Sequence, residues 1–380
     1  MTSVVAPASR RPLAGIATEA VPRCPVCDSN RRHLRTHITE HEYTTTTTDA
    51  FPLMTCDDCG AWYLDPRPHA SALGIIYPPD YYAYVRDALE ASKETAVHTG
   101  SKPPSLSELR GPRETRPTRT ASTGAGPPGG LFTRLGSALF KRRIRPIAKY
   151  IELRPATRWL DVGCGSGSVL QSMQEAYGLK GTGIDLSPTA VEICRKRGFT
   201  AHATRFEDYV PGDGEAYDLI HSSHLIEHVE SPSAYLRKTW DLLAPGGLSV
   251  FITPNTATWE ARAFGRHWGG LHAPRHWVLL DEGSVRQLAD RVGFEHLATC
   301  FSTNGTFWTW TFHSLLNGRI PASVNDAVFP SDFRFVSNTL WNVARIGAFS
   351  LVDAANVALT RRSSNMLVIL RKPAGAARRG

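Results

Sequence analysis

The chain has 380 residues, 42% hydrophobic and 21% charged, with a formal net charge of +8. That is enough apolar chain for a sizeable core, which excludes a wholly disordered or fibrous protein, and it is more than one modest domain needs. The positive excess lies in residues 1–20 (two Arg, one Glu), 93–130 (six Lys/Arg, three Glu) and 371–380 (four Lys/Arg), so the remainder is near neutral and a basic nucleic-acid-binding face is not expected.

Residues 1–20 read as a disordered tail. Their apolar stretch is broken by Pro7, Arg10, Arg11 and Pro12, so no signal peptide is expected. The longest apolar candidate for a membrane span, Val336 to Leu359, is interrupted by Arg345 and Asp353. No span and a cytoplasmic location are expected.

Residues 21–69 form a cysteine-bearing module. CPVC at 24–27 and CDDC at 56–59 can place Cys24, Cys27, Cys56 and Cys59 on one tetrahedral ion. Gly60 permits a tight knuckle after the second pair. A closed site of four thiolates is structural zinc: it holds shape and does no chemistry. His33, His37 and His41 lie between the pairs but are not needed as ligands. Residues 70–92 are a connector containing YPPDYYAY, and 93–130 a disordered linker rich in Ser, Thr, Pro and Gly. The five threonines at 44–48 read as a strand.

Residues 131–372 alternate strands with helices. The strands are RWLDVG, KGTGID, FTAH, AYDLIHS, LSVFIT, FEHLATC and NMLVILR. Helices fall between them, one capped by Ser187 with Pro188 at its first position. This predicts an α/β fold, a doubly wound, Rossmann-like, mostly parallel sheet of seven strands. Residues 301–363, rich in Phe and Trp, read as a helical insert that serves as a lid, with a lipid-facing surface as an alternative. Residues 373–380 are a basic tail.

The loop GCGSG follows the first of these strands. Gly163, Gly165 and Gly167 let the backbone approach a ligand without a Cβ in the way. The sixth position of a dinucleotide fingerprint is Ser168, so that fingerprint fails. Asp161, just before the loop, disfavours a pyrophosphate and suits a cationic ligand. Asp185 ends the second strand, where an acid can accept both hydroxyls of a ribose. S-adenosylmethionine carries a ribose, a sulfonium and an ammonium.

On DVGCGSG, GIDLS, YDLIHSSHLIEHV and LLAPGGLSVFITPN, over about 155–300 plus the last strand, the chain resembles the class I S-adenosylmethionine-dependent methyltransferases. EHV, APGG, TPN and PRHW resemble a branch acting on small molecules. The resemblance implies Asp185 as the ribose acid and puts the adenine near Phe206 and Glu207. CPVC…CDDCGAWYLDPRP resembles zinc-ribbon modules that precede such domains in bacterial biosynthetic enzymes.

Methyl transfer from a sulfonium is a displacement that depends on positioning, with a general base where the acceptor is a hydroxyl. His228 beside Glu227, and His272 and His276 with Arg275, are the candidates, each weighed against a purely structural role. Some relatives use Glu-x-x-Glu-His to hold a divalent metal; His224 stands at the first position here, which argues against that. Trp259, Trp268 and Trp277 are expected as pocket walls. The reading is O-methylation of a small-molecule acceptor in secondary-metabolite, glycan or lipid biosynthesis. The zinc module would bind substrate or pair chains into a homodimer. A nucleic-acid methyltransferase or binding protein guided by the zinc ribbon is the alternative.

Overall fold

The N-terminal cysteine module is built from short strands between turns: β1 (Thr18–Glu19), β2 (Arg32–Thr39), β3 (Ala50–Cys56), β4 (Trp62–Leu64) and β5 (Arg67–Pro68), followed by the short helix α1 (Leu73–Ile76). The computed structural model describes residues 15–43, 46–78, 81–83, 144–212, 216–303, 305–331 and 340–375. The linker expected over 93–130, most of the N-terminal tail and the end of the basic tail lie outside the described residues. The described part of the threonine run is not a strand. There the Thr46 N–H donates to the Tyr43 carbonyl at 3.0 Å, closing a turn.

The expected alternation is present. The strands are β6 (Trp159–Val162), β7 (Thr182–Asp185), β8 (Thr200–Ala203), β9 (Tyr217–Ser223), β10 (Leu243–Pro254), β11 (Val278–Leu279), β12 (Glu295–Phe301) and β13 (Asn365–Arg371). Between them lie α2 (Ser168–Tyr177), α3 (Pro188–Lys196), α4 (Pro232–Leu242), α5 (Trp259–Phe264) and α6 (Glu282–Val292). Their ends follow local chemistry. Ser187 Oγ accepts from Ala190 N–H at 3.2 Å and Ser231 Oγ from Ala234 N–H at 3.1 Å, each with proline next in the chain. Asp281 and Ser284 form a capping box at α6.

The main sheet has seven strands in the order β12–β13–β10–β9–β6–β7–β8. All neighbours are parallel except β13, which runs antiparallel to β10 and β12. The chain leaves β6 toward β7 and β8, then crosses back to β9. The strand order therefore reverses between β6 and β9, and the crevice beyond their carboxyl ends is where such sheets bind ligands.

A second sheet, β11–β4–β3–β2, joins the two parts of the chain. Val278 pairs with Tyr63 and Leu279 with Trp62, while Leu280 bridges to Asn255 just past β10. One segment thus stitches the cysteine module to the main sheet. The hydrophobic core runs across that seam, from Ile16 and Phe51 through Trp268 and Leu280 to Val368.

The expected insert holds three helices among the described residues: α7 (Gly305–Leu316), α8 (Ala322–Val328) and α9 (Leu340–Thr360). Helix α7 crosses the turn at 269–271 closely enough that a Cβ on Gly269 would lie 2.2 Å from the Phe307 carbonyl oxygen. Helix α9 is long and apolar enough to cross a membrane by length and composition. Its buried residues, however, are the polar ones: Asn342, Arg345, Asp353 and Asn356.

Candidate active site

The glycine loop stands at the switch point. Gly163, Gly165 and Gly167 have φ of +76°, +52° and +84°, a region that favours glycine. A Cβ on Gly167 would also lie 2.8 Å from Cys194 Sγ, so the loop packs directly on α3. A Cβ on Gly163 would meet nothing nearer than Leu225 at 3.7 Å, which leaves room for a ligand on that side. The Asp185 carboxylate, at the tip of β7, accepts from Gly165 N–H and Ser187 N–H, each at 2.8 Å. Two charge-assisted bonds fix this acid against the loop.

Asp161 is buried on the central strand and sits 2.7 Å from His221 Nδ1 on β9. Its charge is thus engaged by a histidine that the sequence reading did not single out. Phe206 is buried against Tyr235, ring centroids 5.0 Å apart. Glu207 is exposed and pairs with Arg205 at 3.5 Å.

The three candidate histidines cluster beyond β9 and β10. The rings of His228 and His276 are 4.7 Å apart, and those of His272 and His276 5.0 Å. His228 Nδ1 lies 3.0 Å from the Arg275 carbonyl and 3.0 Å from Tyr77 Oη. A carbonyl only accepts, so Nδ1 carries the proton and Nε2 keeps the lone pair. The same logic holds for His276, whose Nδ1 is 2.8 Å from the Gly270 carbonyl. Burial lowers the His228 imidazole to about 4, against the pull of Glu227, and drives His272 and His276 well below their ordinary value. All three are neutral near pH 7.

Glu227 is fully buried. Burial would raise its carboxyl, but the His224 hydrogen bond at 3.0 Å holds it below its ordinary value, and Thr253 Oγ1 donates to the other oxygen at 3.0 Å. Ligand atoms of Glu227, His228 and His276 lie within 4.8 Å of one another, so these three could also hold a metal ion.

Much of the packing around these histidines comes from the N-terminal part, through residues that the sequence did not single out. Arg275 Nη2 pairs with Glu40 Oε2 at 2.5 Å, and His272 Nδ1 lies 2.5 Å from Glu42 Oε2. Burial opposes the Arg275 charge, but Glu40 and Glu42 raise it above its ordinary value; burial pushes Glu42 up to about 7. Tyr43 and Tyr81 flank the Arg275 guanidinium, and Trp310 from α7 stacks on His272 at 5.1 Å. The connector YPPDYYAY was the available signal, since it supplies Tyr77, Tyr81 and Tyr82. Of the expected wall tryptophans, Trp268 and Trp277 are buried in the core and Trp259 is half-exposed.

The four cysteines meet. Cys24 Sγ is 3.6 Å from Cys59 Sγ, and Cys27 Sγ 3.5 Å from Cys56 Sγ. Thiolates on a tetrahedral zinc with bonds near 2.3 Å stand about 3.8 Å apart, so the set fits such an ion. Each CxxC is followed by a left-handed residue, Asp28 at φ +63° and Gly60 at φ +76°, which closes its knuckle. Among the described residues none of His33, His37 and His41 joins the cluster.

Residues 132–299 match the family model described as "Methyltransferase domain". Over 104 residues the chain is 34% identical to a ubiquinone biosynthesis O-methyltransferase of Bordetella avium (strain 197N), covering 26% of this chain and 43% of that protein. Over 124 residues it is 32% identical to the protein of the same name from Xanthomonas euvesicatoria pv. vesicatoria (strain 85-10), covering 31% and 51%. The chain thus spans about half the length of the curated relatives it matches. Among solved structures it is similar to a putative sarcosine dimethylglycine methyltransferase from Galdieria sulphuraria (TM-score 0.42, 12% identity, 63% of this chain and 86% of that one). Likeness at that level adds nothing to the strand order, on which the fold assignment rests. The match to the methyltransferase-domain model thus covers residues 132–299, the part of the chain that holds six of the seven strands of the main sheet and the glycine loop.

Proposed function

We propose that this protein transfers a methyl group from S-adenosylmethionine to an oxygen of a small-molecule acceptor, with His228 as general base. The observation that carries the reading is the His228 tautomer. Its Nδ1–H is held by the Arg275 carbonyl, which leaves Nε2 unprotonated within the cluster of Tyr77, Tyr81, His272 and His276. Curated relatives named O-methyltransferases support the acceptor chemistry.

Gly163, Gly165 and Gly167 would hold the cofactor's backbone-facing side, and Asp185 its ribose. Bound there, S-adenosylmethionine supplies an electrophilic methyl on a positively charged sulfur. The acceptor oxygen forms the new bond to carbon as the carbon–sulfur bond breaks, and its proton passes to His228 Nε2. Glu227, buried beside His228, favours the imidazolium that results. Phe206 and Tyr235 would back the cofactor from the core side, and Glu207 stays at the rim. His272 and His276, neutral and held by Glu42 and Gly270, would position the acceptor.

Zinc on Cys24, Cys27, Cys56 and Cys59 would hold the N-terminal module, whose Glu40, Glu42 and Tyr43 complete the acceptor side. The natural division is a metal module and a methyltransferase domain that share one core, with 301–363 as the helical cover.

The test is product analysis with methyl-labelled S-adenosylmethionine and phenolic or sugar hydroxyl acceptors. Label should appear as a methyl ether, and S-adenosylhomocysteine in equal amount. A divalent metal on Glu227, His228 and His276 would engage the same Nε2 lone pair. Turnover that requires added magnesium or manganese would therefore overturn the role given to His228.

A further inference from the structure

Helix α9 is inside out for a helix facing water. Its inward side is polar, and each group there has a partner. Arg345 donates to the Val328 carbonyl at 2.7 Å and to Asn342 Oδ1 at 2.8 Å. Asp353 accepts from Trp308 Nε1 at 2.6 Å. Asn356 accepts from Trp259 Nε1 and donates to Glu260, both at 2.9 Å. The outward side is apolar: Leu340 is 90% exposed, Leu351 74% and Leu359 85%, with Val343 and Val352 beside them. No charged residue other than Arg345 and Asp353 occurs in the helix, so nothing charged breaks that face.

Basic residues border it. Arg361 and Arg362 follow the helix directly, and both are exposed. Neither forms an ion pair among the described residues. The Trp259 and Trp341 rings stand half-exposed beside the same face. An apolar face with a basic border and half-exposed tryptophans matches the boundary between headgroups and acyl chains.

We propose that α9 docks the protein, lying in the plane of the interface, on a bilayer surface that contains anionic phospholipid. The inward hydrogen bonds tie one side of the helix to α5, α7 and α8, which is why it lies on the membrane rather than across it. Charge decides between lipid and a second copy of the chain. Arg361 and Arg362, whose charges no carboxylate among the described residues neutralises, complement anionic headgroups, whereas an isologous partner would present the same positive charge. Docking also has a consequence for the histidine cluster. Helix α7 stacks Trp310 on His272 on one side and Phe312 on Phe349 of α9 on the other, at centroid distances of 5.1 and 5.7 Å. The docked face is therefore one helix away from that cluster.

The experiment is co-sedimentation of the full chain with vesicles of phosphatidylcholine alone and of phosphatidylcholine mixed with phosphatidylglycerol. The protein should sediment with the mixed vesicles, less so as salt is raised. Leu351→Glu should weaken binding about tenfold or more, because a buried apolar side chain becomes a charge at the interface. Arg361→Glu with Arg362→Glu should weaken it through the electrostatic part. Leu351 is exposed, so the variant keeps its melting temperature and its S-adenosylmethionine affinity by calorimetry. That keeps a failure of docking distinct from a failure of the cofactor reading. No binding to mixed vesicles, or binding that Leu351→Glu leaves unchanged, would overturn the proposal. So would a solution dimer that Leu351→Glu splits while vesicles go unbound.

Discussion

Glu40 of the cysteine module and Arg275 of the methyltransferase domain form an ion pair in which neither side chain is exposed, with Nη2 2.5 Å from Oε2. The Arg275 Nε also donates to the Ile76 carbonyl at 2.7 Å. A buried pair adds little compared with a well-packed apolar pair, but removing one member leaves a charge without compensation. Glu40→Gln should therefore cost about 3–5 kcal/mol, read as a lower melting temperature. A drop below about 1 kcal/mol would mean that water reaches this seam.

The metal should be one zinc per chain, by analogy with closed four-thiolate sites. Cys24→Ser should lose it. Because the core crosses from the module into the domain, the loss should also lower the melting temperature of the whole chain and disturb the acceptor side. Metal analysis and thermal melts check both. A zinc-free chain that melts in a single unchanged transition would remove the structural role.

Asp185→Ala should weaken S-adenosylmethionine binding by roughly 2 kcal/mol, or about thirtyfold, from lost charged hydrogen bonds alone. The same acid also holds Gly165 N–H and Ser187 N–H, so part of the loss comes from a looser glycine loop. Calorimetry with S-adenosylhomocysteine gives the number, and an unchanged affinity would discard the ribose assignment.

His228→Gln should lower kcat by about a hundredfold to ten-thousandfold, the span of general-base contributions, while cofactor affinity holds. Tyr77→Phe should show a smaller effect, since the Arg275 carbonyl still fixes the tautomer. Because burial sets the His228 imidazole at about 4, activity should persist at pH 5.5, below the ordinary histidine range. An acidic limb near 6.5 would place the base elsewhere.

Buried histidines also set stability toward acid. Burial lowers His41 and His228 to about 4, and His272 and His276 further. The unfolded chain takes up these protons near 6.5, so the folded state binds fewer as pH falls. Stability is full above that value and drains as pH drops from about 6.5 toward 4. Glu42 acts in the opposite sense: raised to about 7, it stabilises below its unfolded value near 4.3 and loses that contribution as pH rises to 7. Four histidines outweigh one carboxyl, so the melting temperature should fall between pH 7 and 5. A flat profile would contradict the neutral cluster.

Periodicity, caps and glycines made the main sheet readable in advance. Strand β6 stops before Gly163, β7 ends at Asp185 and β10 at Pro254, and α3, α4 and α6 start at side-chain caps written in the sequence. These are local effects, fixed within a few residues. The glycine loop and Asp185 were readable for the same reason, since motif spacing places both at neighbouring strand ends. The thiolate cluster was readable because two knuckles can meet on only one ion.

What the sequence could not give is long-range. Nothing near Val278 or Leu279 announces that they pair with Trp62 and Tyr63, more than two hundred positions earlier. Nothing at Glu40 names Arg275 as its partner, and nothing at His228 shows that Tyr77 lies against it. Even α9, read from its apolar content, gave no sign of which side faces in until α5, α7 and α8 supplied partners for its polar groups. Propensity and spacing act over a turn of helix or strand, whereas the histidine cluster, the shared core and the direction of α9 follow from which distant surfaces bury one another. The sequence alone determined the sheet, its loop and the cluster of four cysteines. The tertiary structure decided which groups gather around His228, because burial and pairing across the seam set their tautomers and charges.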